Sequence, residues 1–94
     1  MRKAAIKAIQ SVLISSQIRA LRLKSKMTQS GLGKVAKMKQ SRISAMETPG
    51  AVNFNLETLV RLASVFNCGL VIKFVSFSEM VEWENSYSQD DFDV

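Results

Sequence analysis

The stretch Thr28–Glu47, TQSGLGKVAKMKQSRISAME, constrains this chain more than any other. Its pattern predicts two short helices joined by a tight turn, the second basic and built from small residues. Thr28 is placed to cap the first helix, its hydroxyl accepting from an orphan amide one turn on. Leu32 and Val35 recur at helical spacing and are expected to face inward. After the turn, Ile43 and Met46 form a second inward pair three residues apart. Gln40, Ser41, Ser44 and Ala45 are left on the outward side. Short polar side chains led by an amide suit close approach to base edges in a major groove. This side reads as a contact face.

Charge sharpens that reading. The chain has 94 residues and a net charge of +5, but the charges are segregated. Residues 1–46 carry eleven Lys or Arg and no acid, and residues 79–94 carry six acids and no base. A basic front half is the electrostatic footprint of a polyanion binder, where phosphate contacts release counterions. A solvated surface is the plainer alternative for any basic segment. The asymmetry suggests two partners of opposite character. At this length a monomeric core is marginal and oligomerisation is a common remedy. No apolar run approaches the roughly 20 residues of a membrane span. The basic N-terminus is interrupted by Lys7, Gln10 and Ser11, so no secretion is expected. The single cysteine, Cys68, has no internal disulfide partner, and a cytoplasmic setting fits.

Along the chain, Ile6, Ile9 and Leu13 share one helical face, while Ile14, Ile18 and Leu21 share another, rotated by about 100°. The phase break beside Ser15 and Ser16 suggests a separate leading extension, residues 1–15, with one serine capping a new helix to about Ser25. Ser11 to Ile14 are open to a second reading as a short strand. Leu21 and Met27 would turn inward. Arg19, Lys24 and Lys26 would point outward, either solvated or on phosphate. Pro49 and Gly50 mark a loop, and Asn55 then caps another helix with Glu57 in its first turn. Leu56, Leu59, Val60, Ala63 and Phe66 give that helix the most regular amphipathic pattern in the chain. Asn67 to Gly69 stops it.

Leu70 to Phe77, LVIKFVSF, is β-branched and aromatic and reads as a strand. A strand needs a neighbour for its backbone groups, and the sequence offers no convincing second one beyond Ser11 to Ile14. Pairing with a symmetry mate in a homodimer resolves this, with Leu70, Ile72, Phe74 and Phe77 at the interface. Ser78 would cap a short helix carrying Glu79, Met80 and Trp83, the indole serving either as a partner anchor or as packing on the domain. The last ten residues are polar and acidic, and are expected to be mobile. The division expected is 1–15 extension, 16–69 main domain, 70–84 strand and short helix, and 85–94 acidic tail.

The Thr-Gln dipeptide, the Leu three residues after Gln29, the Ile-Ser pair before Glu47 and the following LETLVRLASVF together resemble the Cro/phage-repressor, Xre-type helix-turn-helix family. The resemblance covers Ser16 to about Gly69, and LVIKFV resembles the C-terminal strand of HipB-like antitoxins, which pairs across a dimer. It implies a mainly α, lambda-repressor-like domain of four or five helices with one C-terminal β-strand paired across a homodimer. It places Lys39, Gln40, Ser41, Ser44 and Ala45 on bases, with Gln40 the leading reader because an amide bonds bidentately to adenine. It places Gln29, Thr28, Lys26, Lys37 and Arg42 on phosphates, with Gln29 also bracing the recognition helix. Arg22 and Glu47 match positions that form a buried ion pair between the first and recognition helices.

The chain departs from the family pattern at Gly31, commonly Glu, at Gly33, commonly Ala, and at Lys37, where the turn favours Gly. The two glycines cost together roughly 2 kcal/mol of helix propensity, and a left-handed Lys37 about 1–2 kcal/mol. Lys39 is a poor N-cap. Against an enzyme stand the absence of histidine, of a metal-ligand cluster, of a phosphate-binding glycine loop and of paired carboxylates outside the tail. No cofactor or metal is expected. Two functions fit: a dimeric repressor reading a palindromic operator in double-stranded DNA, or an antitoxin that also restrains a toxin protein through its C-terminal half.

Overall fold

The computed structural model describes residues 2–86, which form five helices: α1 Arg2–Lys24, α2 Gln29–Ala36, α3 Gln40–Met46, α4 Leu56–Val65 and α5 Phe77–Ser86. Residues 87–94 of the expected acidic tail lie outside the described residues, and its first two, Asn85 and Ser86, belong to α5. The caps obey local chemistry. Thr28 Oγ accepts from Gly31 N–H at 2.9 Å and Asn55 Oδ1 from Thr58 N–H at 2.8 Å. α4 closes through Asn67, whose φ of +53° is the left-handed turn that asparagine tolerates.

The main core gathers Ile18 of α1, Leu32 and Ala36 of α2, Ile43 and Met46 of α3, Leu62 of α4 and Phe66. Ile14, Leu21, Met27, Met38, Leu59 and Cys68 pack around it, half-buried. α1 also packs against α5, and Leu13 and Met80 are buried outside that cluster. Arg2 lies over the Phe77 ring at 5.1 Å, a cation–π contact between the same two helices.

Several expectations are corrected by this arrangement. No helix starts at Ser15 or Ser16: α1 runs unbroken for 23 residues, and the boundary drawn at residue 15 falls inside it. Ser11 to Ile14 are helical within it, which removes them as a strand. The change of phase has another cause. One helix serves two neighbours, and faces about 100° apart contact different bodies. In α2 the inward residue is Ala36, at 2% exposure, and not Val35, at 61%. In α4 the buried stripe is Thr58, Leu62 and Phe66, whereas Leu56 and Val60 are exposed. α5 begins at Phe77 and is capped by Ser76, whose Oγ accepts from Glu79 N–H at 3.2 Å, so Ser78 is not its cap. Trp83 is half in solvent, at 53% exposure.

Residues 70–76 form no ladder with any other described segment of the chain and carry no regular secondary structure. Phe74 is fully exposed, Val71 nearly so, and Ile72 about two-thirds exposed. Phe77, expected at the end of a strand and in the dimer interface, is instead half-buried in α5 beneath Arg2. Among the described residues no helix is long and apolar enough to cross a membrane.

Candidate DNA interface

α2 and α3 are joined by Lys37, Met38 and Lys39. Lys37 takes a left-handed conformation, φ +59° and ψ +49°, and its N–H donates to the Gly33 carbonyl. Met38 N–H donates to the same oxygen at 2.8 Å. This turn presses on α2 so closely that a Cβ on Gly33 would lie 2.5 Å from the Met38 carbonyl oxygen. The glycine that looks costly for helix propensity is therefore what lets the turn close. Lys39 precedes α3 with extended backbone and makes no side-chain cap, so the first α3 amides have no capping partner from it.

α3 buries Ile43 and Met46 completely. Lys39, Gln40, Ser41 and Arg42 are exposed, and Ser44 and Ala45 are half-buried. The Ser44 carbonyl accepts from Thr48 Oγ at 3.0 Å, which ties the end of α3 to the following loop. Lys26, with φ +57°, and Lys37 are exposed, and neither they nor Lys39 or Arg42 is held in an ion pair among the described residues. Thr28 is exposed; its oxygen accepts from the α2 backbone, while the hydroxyl proton remains able to donate.

Beneath this face lies a buried ion pair. Arg22 Nε donates to Glu47 Oε2 at 2.6 Å and Nη2 to Oε1 at 3.0 Å, with the two side chains 10% and 4% exposed. Arg22 Nη1 also donates to the Met27 carbonyl at 2.9 Å, so one guanidinium joins the ends of α1 and α3 to the α1–α2 turn. The hydrogen bond that Arg22 donates to Glu47 raises the Arg22 pKa above its ordinary value, burial opposes this, and the Glu47 charge adds to the rise.

Gln29 connects this pair to the surface. Its Nε2 donates to Glu47 Oε1 at 3.3 Å, and its Oε1 accepts from Gln40 Nε2 at 2.7 Å. A continuous series thus runs from Arg22 through Glu47 and Gln29 to Gln40. Sequence patterning placed Gln29 and Gln40 at the starts of two helices, and the family resemblance implied that Gln29 braces the recognition helix, but neither said that the two amides meet. It also carried no signal for the third Arg22 bond or for the close approach at Gly33.

Two helices joined by a left-handed turn, the second exposed and amide-led, define a helix-turn-helix, the class in which one helix enters the major groove of DNA. A helix-turn-helix family model matches residues 18–72, more than half of the chain. The protein belongs to the Xre/Cro-type helix-turn-helix family. It is a DNA-binding transcription regulator that binds double-stranded DNA, and its family is not one of enzymes. Comparison with curated proteins and with solved structures finds no match.

Proposed function

We propose that the protein is a cytoplasmic, dimeric repressor that reads a palindromic operator by laying α3 in the major groove of each half-site. The observation that carries this is the Gln29–Gln40 hydrogen bond, held from below by Glu47 and Arg22. It presents an ordered amide at the leading end of a helix with no acid on it. Gln40 reads a base pair bidentately, Ser41 and Ser44 read permissively, Lys39 adds a cation, and Ala45 offers a methyl to thymine. Gln29, Thr28, Lys26, Lys37 and Arg42 bond phosphates and fix the register. Two copies pair through Leu70, Ile72 and Phe74, with half-sites about one helical turn apart.

Selection of bound sequences from a random DNA pool tests this. The expected result is an inverted repeat whose half-site contains one position that Gln40→Ala relaxes, at a loss of about 1–3 kcal/mol. Equal loss on selected and random DNA would remove Gln40 as a reader. A selected site without inverted symmetry would reject the paired arrangement.

A second reading, as the antitoxin of a toxin–antitoxin pair, is favoured by the exposed apolar segment 70–75 and by the six acids of residues 79–94. An adjacent gene whose product arrests growth, and is neutralised by direct binding to this chain, would establish it. Full growth arrest in the presence of this protein would exclude it.

A further inference from the structure

We propose that Glu47, which touches no base, determines which base Gln40 selects by fixing the polarity of two side-chain amides in series. The inference rests on Gln40 being the major-groove reader. A carboxylate only accepts hydrogen bonds. Whatever faces Glu47 Oε1 at 3.3 Å must therefore be the NH2 end of Gln29. The carbonyl end of Gln29 then faces α3, and Gln40 meets it with its own NH2 at 2.7 Å. Gln40 keeps one N–H and its carbonyl oxygen for the groove. One donor beside one acceptor complements adenine, which offers N7 as acceptor and the N6 amino group as donor. Guanine offers two acceptors there, N7 and O6.

Reversing the series reverses the match. If Gln29 turned over, its NH2 would take the Gln40 oxygen, leaving Gln40 with two N–H donors, the complement of guanine. Glu47 is what excludes that reversal. Its Oε1 also accepts from Arg22 Nη2 at 3.0 Å, so an acceptor stands where Gln29 meets residue 47. Replacing Arg22 by Met and Glu47 by Leu together removes that acceptor without stranding a charge, and Gln29 is then held in neither polarity. Glu47 is thus a positioning residue for specificity, and the full series is four side chains long.

The test is selection from a random DNA pool by the full chain and by three variants, with far-UV circular dichroism to establish folding. The parent is expected to select adenine at the base pair that Gln40→Ala relaxes. The double variant Arg22→Met/Glu47→Leu is expected to lower the adenine-to-guanine ratio at that pair by about tenfold, the scale of one bidentate contact, bringing it close to one. Gln29→Leu, which leaves Arg22 and Glu47 paired, is expected to bring the ratio close to one. A folded Arg22→Met/Glu47→Leu protein that keeps the parental ratio overturns the proposal, as does a parental preference for another base at that position. Should the double variant fail to fold, Gln29→Leu decides alone: an unchanged ratio overturns, a ratio near one supports. Gln40→Ala keeps the two levels apart, because no change at any position with that variant refutes Gln40 as reader and not the polarity series.

Discussion

Replacing Arg22 by Met tests the part of the structure on which the interface is built. The substitution keeps the aliphatic bulk and removes a charge and three donors, two on Glu47 and one on the Met27 carbonyl. Glu47, with its side chain 4% exposed, is then buried without its cation. Breaking such a pair costs about 3–5 kcal/mol, far above the ~0–1 kcal/mol of a pair in water. A domain of this size has roughly 5–15 kcal/mol in total. Urea denaturation followed by circular dichroism should therefore show the midpoint falling by about 2 M. Adding Glu47→Leu removes the stranded carboxylate, and most of the stability should return, because a buried ion pair replaced by apolar residues is often neutral. DNA recognition should not return with it, since Gln29 has lost the acceptor that orders it. An unfolding free energy for Arg22→Met within about 1 kcal/mol of the parent would refute this, since it would show the pair to be effectively in water.

Gly33→Ala should destabilise despite alanine's better helix propensity, by about 1–3 kcal/mol, because the new methyl meets the Met38 carbonyl at 2.5 Å. A gain in urea midpoint would show that the turn yields freely. Ser15 is completely buried and its hydroxyl has no partner among the described residues, so Ser15→Ala should raise stability by about 1 kcal/mol. A lower melting temperature would reveal a hydrogen bond that the buried hydroxyl makes in solution. Ile72→Asp should leave the helical fold intact and convert the proposed dimer to monomer in sedimentation; a mutant that still sediments as a dimer would reject segment 70–75 as the interface.

What could be read from the sequence was what local chemistry decides. The caps at Thr28 and Asn55 depend on a side chain three residues from its partner amide, so pattern suffices. The left-handed residue after α2 follows from the family turn even with lysine there. Packing partners were less legible. Val35 and Ala36 are neighbours on a helix of eight residues, too short for periodicity to choose between them. The choice is made by contact with α3 and α4, which admits the smaller residue. In α1 the two apolar phases look like two segments, because a sequence does not say that one helix has two neighbours. The Gln29–Gln40 contact joins residues eleven apart across a turn, and only the turn's actual geometry brings them together.

The apolar segment after α4 connects stability to DNA binding. Val71, Ile72 and Phe74 are 86%, 67% and 103% exposed, which no packing among the described residues relieves. Covering three such side chains in each of two copies contributes roughly 9–18 kcal/mol. Association costs about 4–15 kcal/mol in lost freedom and side-chain ordering. The two terms are of similar size, so the proposed dimer is marginal by itself and its population depends on concentration. A duplex carrying two half-sites binds the paired form better than the single one, and by mass action it draws copies together. Operator binding on this assembly is therefore expected to be steep in protein concentration, while binding to an isolated half-site is shallow. Equal steepness on the full site and the half-site would show that the two copies do not assist each other.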